Sequence, residues 1–315
     1  VPVFRGASSL LAQCTLIWQQ ILTPATLPGP RLAAFHNPEY YRKRSARRST
    51  WNTPRIICCA QNSAEHLSLP RGCLADVQEL AMGKGIELDI CDKRQEGAVL
   101  DVAFRGTLNP TQQRAIEKLI ESDIGVLVAP PGSGKTVMAA ALIGARKRTT
   151  LVLVHRLPIL EQWRSQLAAF LKIDTEEIGR IGAGKHEPNG QLDVAMLQSM
   201  IRSNSVDDIV AQYGQVIVDE CHHVAAVTFE AVLSEVRARY VTGLTATPQR
   251  RDGHHPIVAM QLGPVRYEVS AKDQAAQHTF SHNLVIRDTE YRLPVSDAES
   301  RYVDASQTIS ARRST

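Results

Sequence analysis

No Cys-x-x-Cys pair occurs in this 315-residue chain, and its six cysteines are scattered apart from the adjacent Cys58 and Cys59. That spacing argues against a thiolate metal knot or a disulfide framework, so reduced thiols are expected. A bilayer-length apolar run is also missing. The segment from Leu10 to Leu22 is broken by Gln13, Gln19 and Gln20, which makes it too short and too polar to span a membrane. Placed after Arg5 it has the outline of a weak signal-peptide core. Strong charge is absent too: the net charge of +4 fits a polyanionic partner without demanding one. Basic residues do gather at Arg42-Lys43-Arg44 and Arg47-Arg48, a pattern expected of a solvated stretch or of a phosphate-binding patch. Ser-Ala-Arg-Arg-Ser-Thr occurs twice, at 45–50 and 310–315, which is too little to make a repeat architecture. The chain starts at Val1, so a piece of something longer is expected.

What is present centres on Gly125 to Thr136, GVLVAPPGSGKT. A short apolar run, a glycine-rich turn and an Ala-rich continuation predict a strand, a phosphate loop and a helix. A triphosphate needs converging backbone N–H groups, and Gly132 and Gly134 let the backbone approach without a Cβ in the way. Pro131 and Ser133 complete the candidate loop, Lys135 supplies a mobile charge for the β- and γ-phosphates, and Thr136 is placed to ligate Mg²⁺. The strict pattern opens with Gly, whereas this loop opens with Ala129.

Around this loop the periodicity predicts alternating strands and helices. Strands are expected at 150–154, 193–197, 215–218 and 240–244, with helices over 111–121 and 158–171 and a third carrying Phe229, Val232 and Val236. Asn109-Pro110 reads as a helix start, and Asn37-Pro38 as a turn. The fold class expected is α/β: a parallel sheet covered by helices on both faces, preceded by a small α+β module. The domain limits expected are a poorly defined segment 1–50, the module at 51–100, the nucleotide-binding domain at 101–263 and a linker at 264–315. Within the module, a strand at 55–59, a helix through Leu74, Val77 and Ala81 and a half-buried strand over Ile86 to Ile90 are expected.

Ligands of such sheets sit at the carboxyl ends of the strands. Val216-Ile217-Val218 runs there into Asp219-Glu220-Cys221-His222. Asp219 is placed to hold Mg²⁺ with Thr136, and Glu220 to orient or deprotonate an attacking water. Thr245 and Thr247, after the next apolar strand, can hydrogen-bond to the loop of His222 and report the state of the nucleotide.

The ordered set APPGSGKT, LVLVHRLPILEQW, VAMLQS, VIVDECHH and GLTATPQRRDG resembles the first RecA-like domain of superfamily 2 DExH helicases, in the branch of XPB and the restriction-type helicases. The resemblance runs from Phe104 to Val269. It implies ATP and Mg²⁺ as cofactors, with Gln112 reading the adenine edge and Phe104 near the base. It also implies a nucleic-acid partner, DNA ahead of RNA, touched by His155, Arg156, Gln198 and Ser199, and a cytoplasmic protein with no membrane partner. No helix-forming run follows Gly182-Ala183-Gly184-Lys185, so a turn within reach of nucleic acid is expected there rather than a second phosphate loop. Such helicases use two RecA-like domains, and a second alternating series is not expected after the short strand-like Leu284-Val285-Ile286. Residues 31–41 and 69–74 are similar to segments of bacterial conflict-system helicases.

Two other classes stay open. A non-helicase P-loop ATPase is disfavoured by the TATP and HRLPILEQW stretches and by the lack of a transporter-type Ser-Gly-Gly-Gln. The motor subunit of a restriction-type nuclease would need its cutting site elsewhere, since no clustered Asp/Glu-x-Lys stands out. His254-His255 and His278 with His282 are expected to be exposed histidines rather than a metal site.

Overall fold

A computed structural model of the chain describes residues 5–10, 13–17, 29–62, 66–202, 205–222, 226–247 and 255–270. The chain divides into two compact units, 1–277 and 278–315, and every described residue lies in the first. The strand-like Leu284-Val285-Ile286, His254, His278 and His282 lie outside the described residues, as do the side chain of His255 and the second copy of the hexapeptide.

An eight-stranded sheet carries the site. Its order is Lys185–Glu187, Gly179–Gly182, Leu192–Met196, Thr150–Val154, Gln215–Val218, Tyr240–Thr245, Ile124–Val128 and Val265–Glu268. All neighbours pair in parallel except the hairpin of the first two strands, which turns at Ala183 and Gly184, both left-handed. Continuous apolar runs suit this arrangement because both faces of a central strand are covered. Alternate residues of each strand accordingly enter different cores. Leu127, Val152, Val154 and Ile217 pack with the helices Pro110–Ile120, Lys135–Arg146 and Leu157–Leu171, whereas Val126, Val128, Leu151, Leu153, Val216 and Val218 face Phe229, Val232, Ile257 and Leu262.

Preceding it is a smaller module. Its five-stranded sheet has the order Gln61–Asn62, His66–Pro70, Gln13–Ile17, Arg5–Leu10 and Glu87–Asp92, with the helix Leu74–Gly83 packed against the last strand. The sheet draws strands from both sides of residue 50. Asn37-Pro38 departs from expectation: it opens the helix Pro38–Ser45, with Asn37 accepting from the Glu39 N–H at 3.0 Å, so the pair works as N-cap and first helical residue. The strand Glu87–Asp92 lies at a sheet edge, which leaves Leu88 half-buried and Ile90 exposed.

The module is pinned to the larger sheet through Arg71 and Gly72. Arg71 is buried, and its guanidinium donates to the carbonyls of Ala238 and Leu233, each at 3.2 Å, and of Val236. These carbonyls lie at and beyond the end of the helix Ala226–Glu235, where a cation is favoured. Burial pushes the Arg71 pKa down to about 9, which still leaves it charged at neutral pH. At Gly72 a Cβ would stand 2.2 Å from the Ala259 carbonyl oxygen, so only glycine permits the approach. Among the described residues, no helix is long and apolar enough to cross a membrane.

Candidate nucleotide and nucleic-acid site

The loop after Ile124–Val128 turns into the helix Lys135–Arg146 through Gly132 (φ 79°) and Gly134 (φ 83°). Both lie in the left-handed region, which side chains other than glycine rarely occupy. An added Cβ on Gly134 would sit 2.6 Å from Nε2 of Gln112. Gln112 itself completes a capping box: its Oε1 accepts from the Asn109 N–H at 3.0 Å while Asn109 accepts from the Gln112 N–H at 2.8 Å. Its Nε2 then donates to the Ser133 carbonyl at 2.9 Å, binding the helix Pro110–Ile120 to the loop. Phe104 lies against Phe170, with ring centroids 6.1 Å apart, and beside Gly144. Pro131 is exposed and Thr136 occupies the first turn of the helix, half-buried.

Three strand ends converge on this loop. The Ala129 N–H donates to the Thr245 carbonyl at 2.8 Å, and the Asp219 N–H to that of Leu153 at 2.9 Å. Lys135 Nζ donates to the Ala129 carbonyl at 3.2 Å and pairs with Glu220 Oε1 at 3.0 Å. Glu220 holds φ 45°, a conformation that costs a non-glycine residue free energy and persists only where its surroundings enforce it. Asp219 is buried and accepts from Trp163 Nε1 at 2.8 Å. Burial raises its pKa, against the lowering effects of the Trp163 hydrogen bond and of Lys135.

His222 Nδ1 lies 3.3 Å from Glu220 Oε2 and 2.6 Å from Thr245 Oγ1. The Thr245 hydroxyl also donates to the Thr247 carbonyl at 2.7 Å. Glu220, His222, Thr245 and Thr247 thus form one connected chain.

The residues match what a phosphate chain and a divalent cation require. Left-handed glycines open the loop, the buried Ser133 Oγ has no hydrogen-bond partner among the described residues, and Lys135 and Asp219 supply opposite charges beside the same strand ends. Among the described residues no cluster of three or more His, Cys, Asp or Glu side chains forms a metal site by itself.

His155 and Arg156 follow Thr150–Val154, while Gln198 and Ser199 follow Leu192–Met196; the two strands end side by side, Val154 opposite Met196. Gln198 Nε2 donates to the His155 carbonyl at 3.3 Å, joining the two loops. Arg156, the N-cap of the helix Leu157–Leu171, is exposed, as is Lys185 at the hairpin turn; Ser199 is half-buried. His155, Arg156, Gln198 and Ser199 follow strands expected from the sequence, whereas no role is expected there for Trp163. An indole N–H inside an apolar helix face is the signal that it needs a polar partner.

Comparison with known proteins covers the stretch that holds these strand ends. Residues 105–250 match the family model described as type III restriction enzyme, res subunit. Over 174 residues the chain is 32% identical to a putative ATP-dependent RNA helicase, L396, of Acanthamoeba polyphaga mimivirus, covering 54% of this chain and 33% of that one. Over 211 residues it is 30% identical to the DNA 3'-5' helicase XPB of Kineococcus radiotolerans, covering 65% and 37%. The chain therefore spans about a third of the length of these relatives. Among solved structures, the UvsW helicase of bacteriophage T4 superposes with a TM-score of 0.62 at 13% identity, covering 83% of this chain and 99% of that one. At that identity the likeness concerns the fold, and its coverage extends beyond residues 105–250.

Proposed function

We propose that residues 105–250 are the first RecA-like domain of a superfamily 2 helicase, and that this chain binds ATP with Mg²⁺ and couples hydrolysis to movement along nucleic acid, DNA in preference to RNA. The observation that carries the proposal is the Lys135–Glu220 pair of 3.0 Å, which joins the phosphate loop to the acidic strand end. Its neighbours His222 and Thr245 run from there to the strand end beside it.

The backbone N–H groups of the loop from Gly132 to Lys135 would bind the phosphates, with Lys135 exchanging Glu220 for the γ-phosphate. Thr136 and Asp219 would hold Mg²⁺, which when bound draws charge from the triphosphate oxygens. Freed of Lys135, Glu220 would orient the attacking water and take its proton at a carboxylate oxygen. His222 then meets an altered Glu220, and Thr245 and Thr247 carry that change along their strand end. Arg156, Gln198 and Ser199 would grip phosphates of one strand, a contact that positions without reading sequence. A second RecA-like domain would close over the nucleotide and supply an arginine to the transition state, as P-loop motors require. The compartment proposed is the cytoplasm, where ATP is available.

The test is steady-state ATPase with no nucleic acid, with single-stranded DNA and with RNA of the same sequence. Turnover that rises most with DNA and disappears in Glu220→Gln is expected. Turnover indifferent to any nucleic acid would favour a P-loop ATPase of another kind.

A further inference from the structure

A basic surface lies on the module, on a segment that contributes no residue to the candidate site. Between Gly29 and Ala60 stand seven Lys and Arg residues against one carboxylate, Glu39. Glu39 is already matched by Lys43 at 2.8 Å, and Lys43 also donates to Thr53 Oγ1 at 2.7 Å. Arg42, Arg44, Arg47 and Arg48 are exposed, and none has a carboxylate partner among the described residues. Beside them Trp51 is 93% exposed.

The turn presenting these groups is built. Asn37, buried, donates from its side chain to the Pro54 carbonyl at 2.8 Å, and its backbone N–H donates to the Arg55 carbonyl at 3.0 Å. Arg48 N–H closes on the Lys43 carbonyl at 2.8 Å, Thr53 N–H on that of Thr50 at 3.0 Å, and Arg47 holds φ 52°. Ordering unpaired guanidinium groups together costs repulsion that a polyanion removes.

We propose that Arg44, Arg47, Arg48 and Trp51 form a contact face for single-stranded nucleic acid, separate from the strand ends of the RecA-like domain. Guanidinium groups suit phosphate oxygens, and an indole offered to solvent suits an unstacked base. An anionic bilayer would share the charge but needs an apolar helix face, and the helix Pro38–Ser45 reads PEYYRKRS, with Tyr41 engaged by His36 and Arg55. The choice of nucleic acid as partner rests on the proposed function.

The experiment is fluorescence anisotropy of a labelled oligo-dT with the full chain, without nucleotide, across a salt series. Arg44→Ala/Arg47→Ala/Arg48→Ala, which leaves Lys43 to hold the turn, is compared with Trp51→Ala and with Arg156→Ala, each checked for an unchanged melting temperature. The triple variant is expected to bind on the order of tenfold more weakly at low salt, with the slope of log affinity against log salt shallower by about two. Trp51→Ala should lose several-fold in affinity with the slope unchanged. If both bind as the wild type while Arg156→Ala weakens binding, this face is overturned and the motor assignment stands. A wild-type chain that binds no oligonucleotide overturns both. Loss of sedimentation with phosphatidylserine vesicles, with oligonucleotide binding intact, would assign the face to membranes and overturn it. Patch-dependent binding without DNA-stimulated ATPase would keep the face and overturn the motor.

Discussion

The indole Nε1 of Trp163 donates a 2.8 Å hydrogen bond to Oδ2 of Asp219, across 56 residues of sequence. Trp163 belongs to the helix that begins at Arg156, so one rigid element connects the proposed strand contact with the proposed cation ligand. Trp163→Phe keeps the bulk of a six-membered ring and removes the donor together with the five-membered ring that carries it. Second-shell losses of this kind lower metal affinity or activity by roughly ten- to a hundredfold, and that range is expected for Mg²⁺-dependent turnover.

Stability should report the same bond through pH. Burial raises the Asp219 pKa above its unfolded value, so its ionisation costs stability as pH rises through the folded pKa. The Trp163 N–H offsets part of that cost only while the carboxylate is charged. Trp163→Phe should therefore be less stable than the wild type by about 2 kcal/mol at neutral pH. In thermal melts that deficit should shrink towards acid pH, and a deficit independent of pH would assign Trp163 a packing role only.

Arg71 and Gly72 make a separate prediction about the seam between module and sheet. Arg71→Ala leaves the carbonyls of Leu233, Val236 and Ala238 without their donor, at a cost of about 3 kcal/mol. Gly72→Ala forces a Cβ against the Ala259 carbonyl and should cost about 1–3 kcal/mol. Thermal melting checks both, and limited proteolysis should find the module cut first.

Thr245→Val tests the connection from nucleotide to strand. The substitution preserves shape but removes the oxygen 2.6 Å from His222 Nδ1. ATP binding should be unchanged, while stimulation by DNA falls by the equivalent of about 1–2 kcal/mol of coupling. Equal loss of basal and stimulated turnover would place Thr245 in the chemistry itself.

Much of the larger sheet could be read from the chain, because buried parallel strands leave apolar runs and their ends carry the polar motifs. Glu220, His222 and Thr245 are expected from their positions after strands and Lys135 from the glycine-rich loop, and the structure brings the four side chains together. The contacts between helix faces were not legible. Trp163 has the same spacing as Leu160 and Leu167 and differs only in an N–H whose partner is remote in sequence. Arg71 could not be picked out as buried, since its three acceptors are carbonyls, which sequence does not distinguish. Asn37-Pro38 fails for another reason: the same dipeptide serves turns and helix starts, and the helix it opens is short and polar.

Titration calorimetry with Mg²⁺ and ATP, on the wild type, Lys135→Ala and Glu220→Gln, tests the nucleotide site most directly. Lys135 is held by Glu220 at 3.0 Å, so ATP must displace that carboxylate. Glu220→Gln should bind ATP at least as tightly as the wild type, and Lys135→Ala should lose roughly a hundredfold, about 3 kcal/mol. Unchanged affinity in Lys135→Ala would contradict the account, because the loop would then not be where the phosphates bind.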